Sequence, residues 1–233
     1  MYKVVYIDEQ PDDIANFKDY VESINTKENF EVIDLLPSPD LPSMVDAILQ
    51  ESPDAIVTDF MLNEYKVAFN HNVPYNGVDL VKEYQAIREG FPCFVLTSFD
   101  MDAIHESDDV NIVYIKNLLH AGHSQANIKF LERVEAQISH YKTRIREAEK
   151  NLAELLKRKR TGTATVQDEE EIIRLDHFLE KSVDRRRAVP ETLKTISNTE
   201  RLDNILSKVD ELLKTVNQPD DQTIQRKKPK KDM

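Results

Sequence analysis

Cysteine occurs once in the 233 residues, tryptophan is absent and glycine appears only four times. A single thiol, Cys93, excludes an intrachain disulfide and any zinc site built on several cysteines. It lies in the apolar run Cys93-Phe94-Val95-Leu96, where inert core filling is its expected role. Scarce glycine, with 40% hydrophobic and 32% charged residues, argues against a collagen-like chain, a membrane barrel or global disorder. No apolar run approaches the roughly 20 residues that span a bilayer. Nor is an export signal visible where Met1-Tyr2-Lys3-Val4-Val5-Tyr6-Ile7 meets Asp8. These absences give the expectation of a reduced, cytoplasmic protein without membrane contact, folded as one large or two small domains.

Basic residues are also scarce, but only in the first half. The first 125 residues hold 23 acidic against 7 basic side chains, and the remainder 20 against 24, within a net charge of -12. A strongly acidic half repels nucleic acid, whereas clustered carboxylates can hold a divalent cation. The two halves are therefore expected to do different work.

Short apolar runs at residues 3–7, 30–36, 55–60, 93–97 and 111–115 read as five strands. Between them fall helical spacings, such as Ile14, Phe17, Val21 and Ile24, or Val78, Val81, Tyr84 and Ile87. Strand and helix alternate, the pattern of a doubly wound α/β fold with a five-stranded parallel sheet. Residues 100–109 are too short and acidic for a full helix and predict one or two turns, or a distorted helix.

In such sheets reactive groups gather at the carboxyl ends of the strands. Asp8 and Glu9 follow the first strand, Asp59 the third, Thr97 and Ser98 the fourth, and Lys116 the fifth. Three carboxylates in one place repel one another unless a hard cation sits among them, and an all-oxygen ligand set suits Mg2+. Taken singly, each residue has an ordinary account as a helix start, an Asx turn, a backbone-bonded hydroxyl or an ion pair. Only their joint occurrence in order is informative.

The ordered segments are Val5-Tyr6-Ile7-Asp8-Glu9, Ala55-Ile56-Val57-Thr58-Asp59, Pro74-Tyr75-Asn76-Gly77-Val78-Asp79-Leu80, Val95-Leu96-Thr97-Ser98 and Val113-Tyr114-Ile115-Lys116. On these, the first half resembles the CheY-like receiver domain of two-component response regulators, a flavodoxin-like fold. The resemblance implies that Asp59 is the phosphoacceptor, charged by a histidine kinase or phosphotransfer protein. It also implies that Asp8, Glu9, Asp59 and the backbone carbonyl of Met61 hold Mg2+. Thr97 and Lys116 would bind the phosphoryl oxygens and act as the switch.

Three departures stand out. The 17 residues 60–76 before Gly77 are longer than the family's loop and carry Tyr65, Phe69 and His71. Asn117 replaces the family's proline after the lysine, and Val113 stands where the family often keeps a switching aromatic. The loop histidines His71, His105, His120 and His123 match no metal spacing.

From Ser124, a plausible N-cap, one helical pattern runs to Arg160 without internal glycine or proline. Leu131, Val134, Ile138, Tyr141, Ile145, Ala148, Leu152 and Leu155 form a heptad seam, predicting a coiled coil. Residues 161–165 read as a reversal in which Thr165 and Asp168 make a capping box. A second helix carries Ile172, Leu175 and Leu179 up to Pro190, and a third carries Leu202, Ile205, Val209, Leu212 and Val216. The boundaries expected are a receiver at 1–124, a helical output region at 125–218 and a basic disordered tail at 219–233. Both an intrachain hairpin and a homodimer through the coiled coil would bury the seam, and dimerisation alongside the hairpin is the expectation.

Basic clusters at residues 157–160, 185–187 and 226–231 are not set in a groove-fitting module, so nucleic acid is not the expected partner. His177 lies in no recognised kinase box. The sequence thus predicts a phosphoacceptor rather than an enzyme, acting through an unidentified downstream protein. A phosphoryl sink or relay intermediate, and a pseudo-receiver scaffold that takes no phosphate, remain open alternatives.

Overall fold

A computed structural model of the chain describes residues 1–24, 29–63, 71–98, 112–116, 125–194 and 207–209. The predicted turns at 100–109, the loop centre with Tyr65 and Phe69, residues 105, 117, 120, 123 and 124, and the basic tail lie outside them. So does the third helix except at residues 207–209, which are helical.

Five strands form one parallel sheet: β1 (Tyr2–Ile7), β2 (Phe30–Leu35), β3 (Ala55–Asp59), β4 (Cys93–Thr97) and β5 (Val113–Ile115). Their order, β2-β1-β3-β4-β5, is that of the flavodoxin-like doubly wound fold. The fifth strand is shorter than its apolar run suggests, and Leu36 and Phe60 fall just outside their strands. Helices α1 (Pro11–Ile24), α2 (Leu41–Glu51) and α3 (Gly77–Ile87) follow the first three strands. Alternate strand residues face opposite sides, because side chains on a strand alternate. Val5, Ile7 and Ile56 meet Met44, Ile48, Val81 and Tyr84 of α2 and α3, whereas Val4, Tyr6 and Val57 meet Ile14, Phe17 and Val21 of α1.

The long helix appears as α4 (Gln125–Arg160), 36 residues or about 54 Å at 1.5 Å per residue. Phe130, Leu131, Val134 and Ile138 join the α1-side core, while Tyr141 and Ile145 pack into the opposite core. One helix reaches both cores because it passes beneath the amino-terminal edge of the sheet. Lys142 marks the crossing: its ammonium pairs with Asp54 at 2.7 Å and lies 5.0 Å from the centre of the Tyr2 ring.

The reversal is a Schellman turn. Thr163 N–H donates to the Arg158 carbonyl and Gly162 N–H to that of Lys159, with Gly162 at φ 71°. Thr165 and Asp168 then form the anticipated capping box at the start of α5 (Val166–Asp184). Arg158–Asp168 and Lys159–Glu169 ion pairs tie the two helices near their tip. At the other end the Ser182 carbonyl accepts from Tyr141 Oη at 3.0 Å and from Arg88 Nε at 3.1 Å. The seam residues Leu131, Val134, Ile138, Tyr141 and Ala148 are thus buried within the chain's own packing.

Two compact units result, Met1–Ala188 and Val189–Met233. Helices α4 and α5, assigned on sequence to the helical output region, pack within the first. No helix among the described residues is long and apolar enough to cross a membrane.

Ile138 is fully buried and Leu156, near the tip of the same helix, is 36% exposed. Ile138→Ala is expected to lower unfolding free energy by about 2–4 kcal/mol, from lost transfer energy and a cavity, and Leu156→Ala by under about 1 kcal/mol. Urea titration followed by circular dichroism measures both. Equal costs would contradict the intrachain burial of the seam.

Candidate functional site

The strand order reverses between β1 and β3, and the crevice there is where open α/β sheets place ligands. β1 ends at Ile7, opposite Thr58, so Asp8 and Asp59 leave neighbouring strands side by side. On β4, Leu96 lies opposite Asp59, while Thr97 lies opposite Ile115 of β5. The register therefore carries Asp59, Thr97 and Lys116 to one edge on three adjacent strands. All the predicted side chains, Asp8, Glu9, Asp59, Thr97 and Lys116, are buried there.

Lys116 is the hub. Its Nζ lies 2.9 Å from Asp8 Oδ2, 3.0 Å from Asp59 Oδ1 and 2.5 Å from Asp13 Oδ2. Burial would lower the lysine pKa, but the charges of Asp59 and Asp8 outweigh it and hold the ammonium well above its ordinary value. Asp59 shifts the other way from a usual ion-paired acid. Burial pushes its carboxyl up to about 7; Lys116 opposes the rise, and Asp8 and Glu9 add to it.

Each carboxylate is also fixed locally. Asp8 accepts from Tyr6 Oη at 2.7 Å and from the Gln10 amide at 2.9 Å, and Asp59 Oδ2 accepts from the Met61 amide at 3.1 Å. Met61 thus enters the site through its N–H, its carbonyl being the atom the resemblance assigns to the metal. Burial, reinforced by Asp8, raises the Tyr6 phenol well above its usual value, so it remains a proton donor. The ring stacks on Phe17 with centroids 4.1 Å apart and planes 7° off parallel.

Gly77 explains why the third motif segment stands where it does. A Cβ on this residue would lie 2.1 Å from the Asp59 carbonyl oxygen, so only glycine lets α3 start against the end of β3. Its amide donates to the Phe60 carbonyl at 2.8 Å, and Asn76 and Asp79 form a capping box around it. The described carboxyl-terminal end of the long loop is tied to the segment after β2. His71 Nε2 meets the Pro37 carbonyl at 2.9 Å, and Tyr75 Oη donates to that of Ser38 at 2.8 Å.

Sequence reasoning missed Tyr6 and Asp13. Tyr6 was accessible in principle, since residues two apart share one side of a strand and Asp8 follows it by two. Asp13 sits in the first turn of α1 beside the equally acidic Asp12, and nothing in the sequence distinguishes the pair. Val113 packs against the α2- and α3-side core, while its neighbour Tyr114 packs edge-on to Phe130 at 5.0 Å.

Asp8, Glu9 and Asp59 each bring a carboxylate oxygen within 4.8 Å of the others; among the described residues this is the one such group able to share an ion. An all-carboxylate set, with Lys116 as its one paired cation among the described residues, fits a hard divalent cation such as Mg2+. No histidine of the described residues belongs to the group.

No family model and no curated protein matches the chain. Among solved structures it is similar to the anti-anti-sigma factor PhyR from Bartonella quintana, at 16% identity and a TM-score of 0.42. That alignment covers 64% of this chain and only 51%, about half, of PhyR. It is also similar to the RcsB response regulator from Salmonella typhimurium, at 16% identity, a TM-score of 0.37 and coverage of 90% and 84%. A third structure is RcsB from Salmonella enterica serovar Typhimurium, bound to promoter P1flhDC in the presence of the phosphomimetic BeF3-. It gives 15% identity, a TM-score of 0.38 and coverage of 83% and 95%. Strand order and register, not these similarities, establish the fold class.

A raised Asp59 pKa has a definite consequence for metal-free stability. Between the unfolded carboxyl value near 4 and the folded value of about 7, the folded chain binds the extra proton, so stability falls as pH rises through that window. Asp59→Asn removes this loss. In chelator, the variant's stability relative to wild type is expected to rise by roughly 2–4 kcal/mol from pH 4 to pH 8. Mg2+ is expected to stabilise wild type more at pH 8 than at pH 5, and Asp59→Asn at neither. Denaturant melts at the three pH values test both; a pH-independent difference would refute the assignment.

Proposed function

We propose that the chain is a response regulator whose Asp59 accepts a phosphoryl group from a phosphohistidine on a histidine kinase or phosphotransfer protein. The observation that carries this reading is the Lys116 ammonium bridging Asp8 and Asp59 at 2.9 and 3.0 Å within a buried carboxylate triad. A merely structural ion pair needs one acid. Here three buried acids and a hydroxyl, from three different strand ends, converge on the surroundings of one lysine from a fourth, and gathering them has no packing benefit.

In the proposed step an Asp59 carboxylate oxygen attacks the phosphorus. The bond from phosphorus to the donor's ring nitrogen breaks, and that nitrogen keeps the electron pair and takes up a proton. Asp59 becomes an acyl phosphate. When bound by Asp8, Glu9, Asp59 and the Met61 carbonyl, Mg2+ would offset the repulsion between nucleophile and incoming phosphoryl group. Lys116 passes a hydrogen bond from the Asp59 carboxylate to a phosphoryl oxygen. Thr97, one residue beyond Leu96 on β4, supplies a hydroxyl to another. The Met61 amide holds the carboxylate's orientation throughout. Such charge-assisted contacts exist only after transfer and so distinguish two states of the chain.

Output on this reading passes through protein binding by the helical region, and the chain is a phosphoacceptor rather than an enzyme. With Leu131, Val134, Ile138 and Tyr141 buried at home, a homodimer through the coiled coil would use the later part of α4.

Incubation with acetyl phosphate and Mg2+, read by intact mass, tests the proposal. Wild type is expected to gain one phosphoryl mass and Asp59→Ala none, with the gain suppressed by chelator. Light scattering on the same samples reports whether assembly follows modification. An equal gain in the alanine variant, or none in either, would overturn the reading.

A further inference from the structure

A protonated lysine has three N–H donors, and those of Lys116 are matched by three carboxylates, Asp8, Asp13 and Asp59. Two of these belong to the triad able to hold a cation, and Asp13 does not. Asp13 comes from the first turn of α1, is 20% exposed at its side chain and makes the shortest of the three contacts, at 2.5 Å. Its carboxylate therefore tethers the ammonium that must pass its Asp59 contact to an incoming phosphoryl oxygen, and adds one more negative charge to the partners of that ammonium.

We propose that Asp13 is a positioning residue that restrains Lys116, so that the resting chain discriminates against anion gain at Asp59. This deepens the phosphoacceptor reading and rests on it. The physical ground is competition for one ammonium: as it passes its Asp59 contact to a phosphoryl oxygen, it has to share its charge-assisted contact with Asp13 at greater length or carry it along. Asp8 does not play this part, since it is also fixed by Tyr6 and the Gln10 amide and remains in the cation set. Asp12 supplies the control. It stands beside Asp13 in the same helical turn, contributing the same kind of charge to the helix start, and is not among the ammonium's carboxylate partners.

Beryllofluoride, an anionic phosphoryl mimic, is the probe, titrated at saturating Mg2+ into the full chain. Asp13→Asn is expected to bind it roughly three- to tenfold more tightly than wild type, because one competing charged contact is removed. Asp12→Asn is expected to stay within about twofold, and the charge-preserving Asp13→Glu to lie nearer to wild type than to Asp13→Asn. Nuclear magnetic resonance of the Lys116 ammonium in the metal-free chain adds a direct readout, shifting in Asp13→Asn and not in Asp12→Asn. Equal or weaker binding by Asp13→Asn, or an unmoved ammonium signal, would overturn the restraint while leaving phosphoacceptance standing. If wild type binds no beryllofluoride and Asp59→Asn behaves identically, the phosphoacceptor reading falls, and the restraint with it.

Discussion

The sheet's carboxyl edge depends on one buried cation. Among the described residues four acidic side chains, Asp8, Glu9, Asp13 and Asp59, gather around the end of a crevice where water is largely excluded, with Lys116 the single basic group among them. Without it the carboxylates would either protonate or drive the strand ends apart, since like charges in a low dielectric repel strongly. Even with it, burial raises the Asp59 carboxyl to about 7, and Asp8 and Glu9 add to the rise that Lys116 opposes. A protein stabilised for its own sake would fill such a place with apolar side chains, because buried ion clusters seldom repay their desolvation. The residual negative charge makes sense as a standing demand for a dication.

Backbone geometry meets that demand at the cost of local freedom. The parallel register brings three strand ends level, and Gly77 permits α3 to begin in contact with the Asp59 carbonyl. The Met61 amide and the Tyr6 hydroxyl then orient the two central carboxylates. Tyr6 shows how packing and chemistry share one residue. Its ring is core, stacked on Phe17, while its hydroxyl reaches the site, so the α1-side core and the position of Asp8 are not independent.

Strands and the site's principal side chains were legible in the sequence because burial on both faces leaves continuous apolar runs, and because the residues ending those runs must share one edge. The reversal at 161–165 was legible as well, since Gly162 and the Thr165–Asp168 pair each have a specific backbone task. What the sequence could not convey was the identity of the surface opposite a given apolar face. The heptad spacing from Leu131 names the buried side of α4 correctly but says nothing about what covers it. The same spacing serves a coiled coil and a helix lying beneath a sheet. Asp13 was illegible for a related reason: it differs from Asp12 only by the 100° rotation per residue of an α-helix, which points one carboxylate to Lys116 and leaves the other outside its contacts.

The placement of α4 also bears on how a change at the acidic edge could reach the rest of the chain. The acids lie at the carboxyl ends of the strands, whereas Lys142, Tyr141 and Arg88 fasten the helical pair at the opposite edge. Strands packed on both faces are stiff, so a small displacement along β3 or β4 has little room to occur without repacking both cores. Lys116 offers a different route, because it directly follows the short β5. Tyr114, two residues earlier, already contacts Phe130 in the first buried turn of that helix. A ligand that draws the ammonium away from its carboxylates therefore acts at the end of a strand that itself packs on the long helix, through Tyr114 and Phe130.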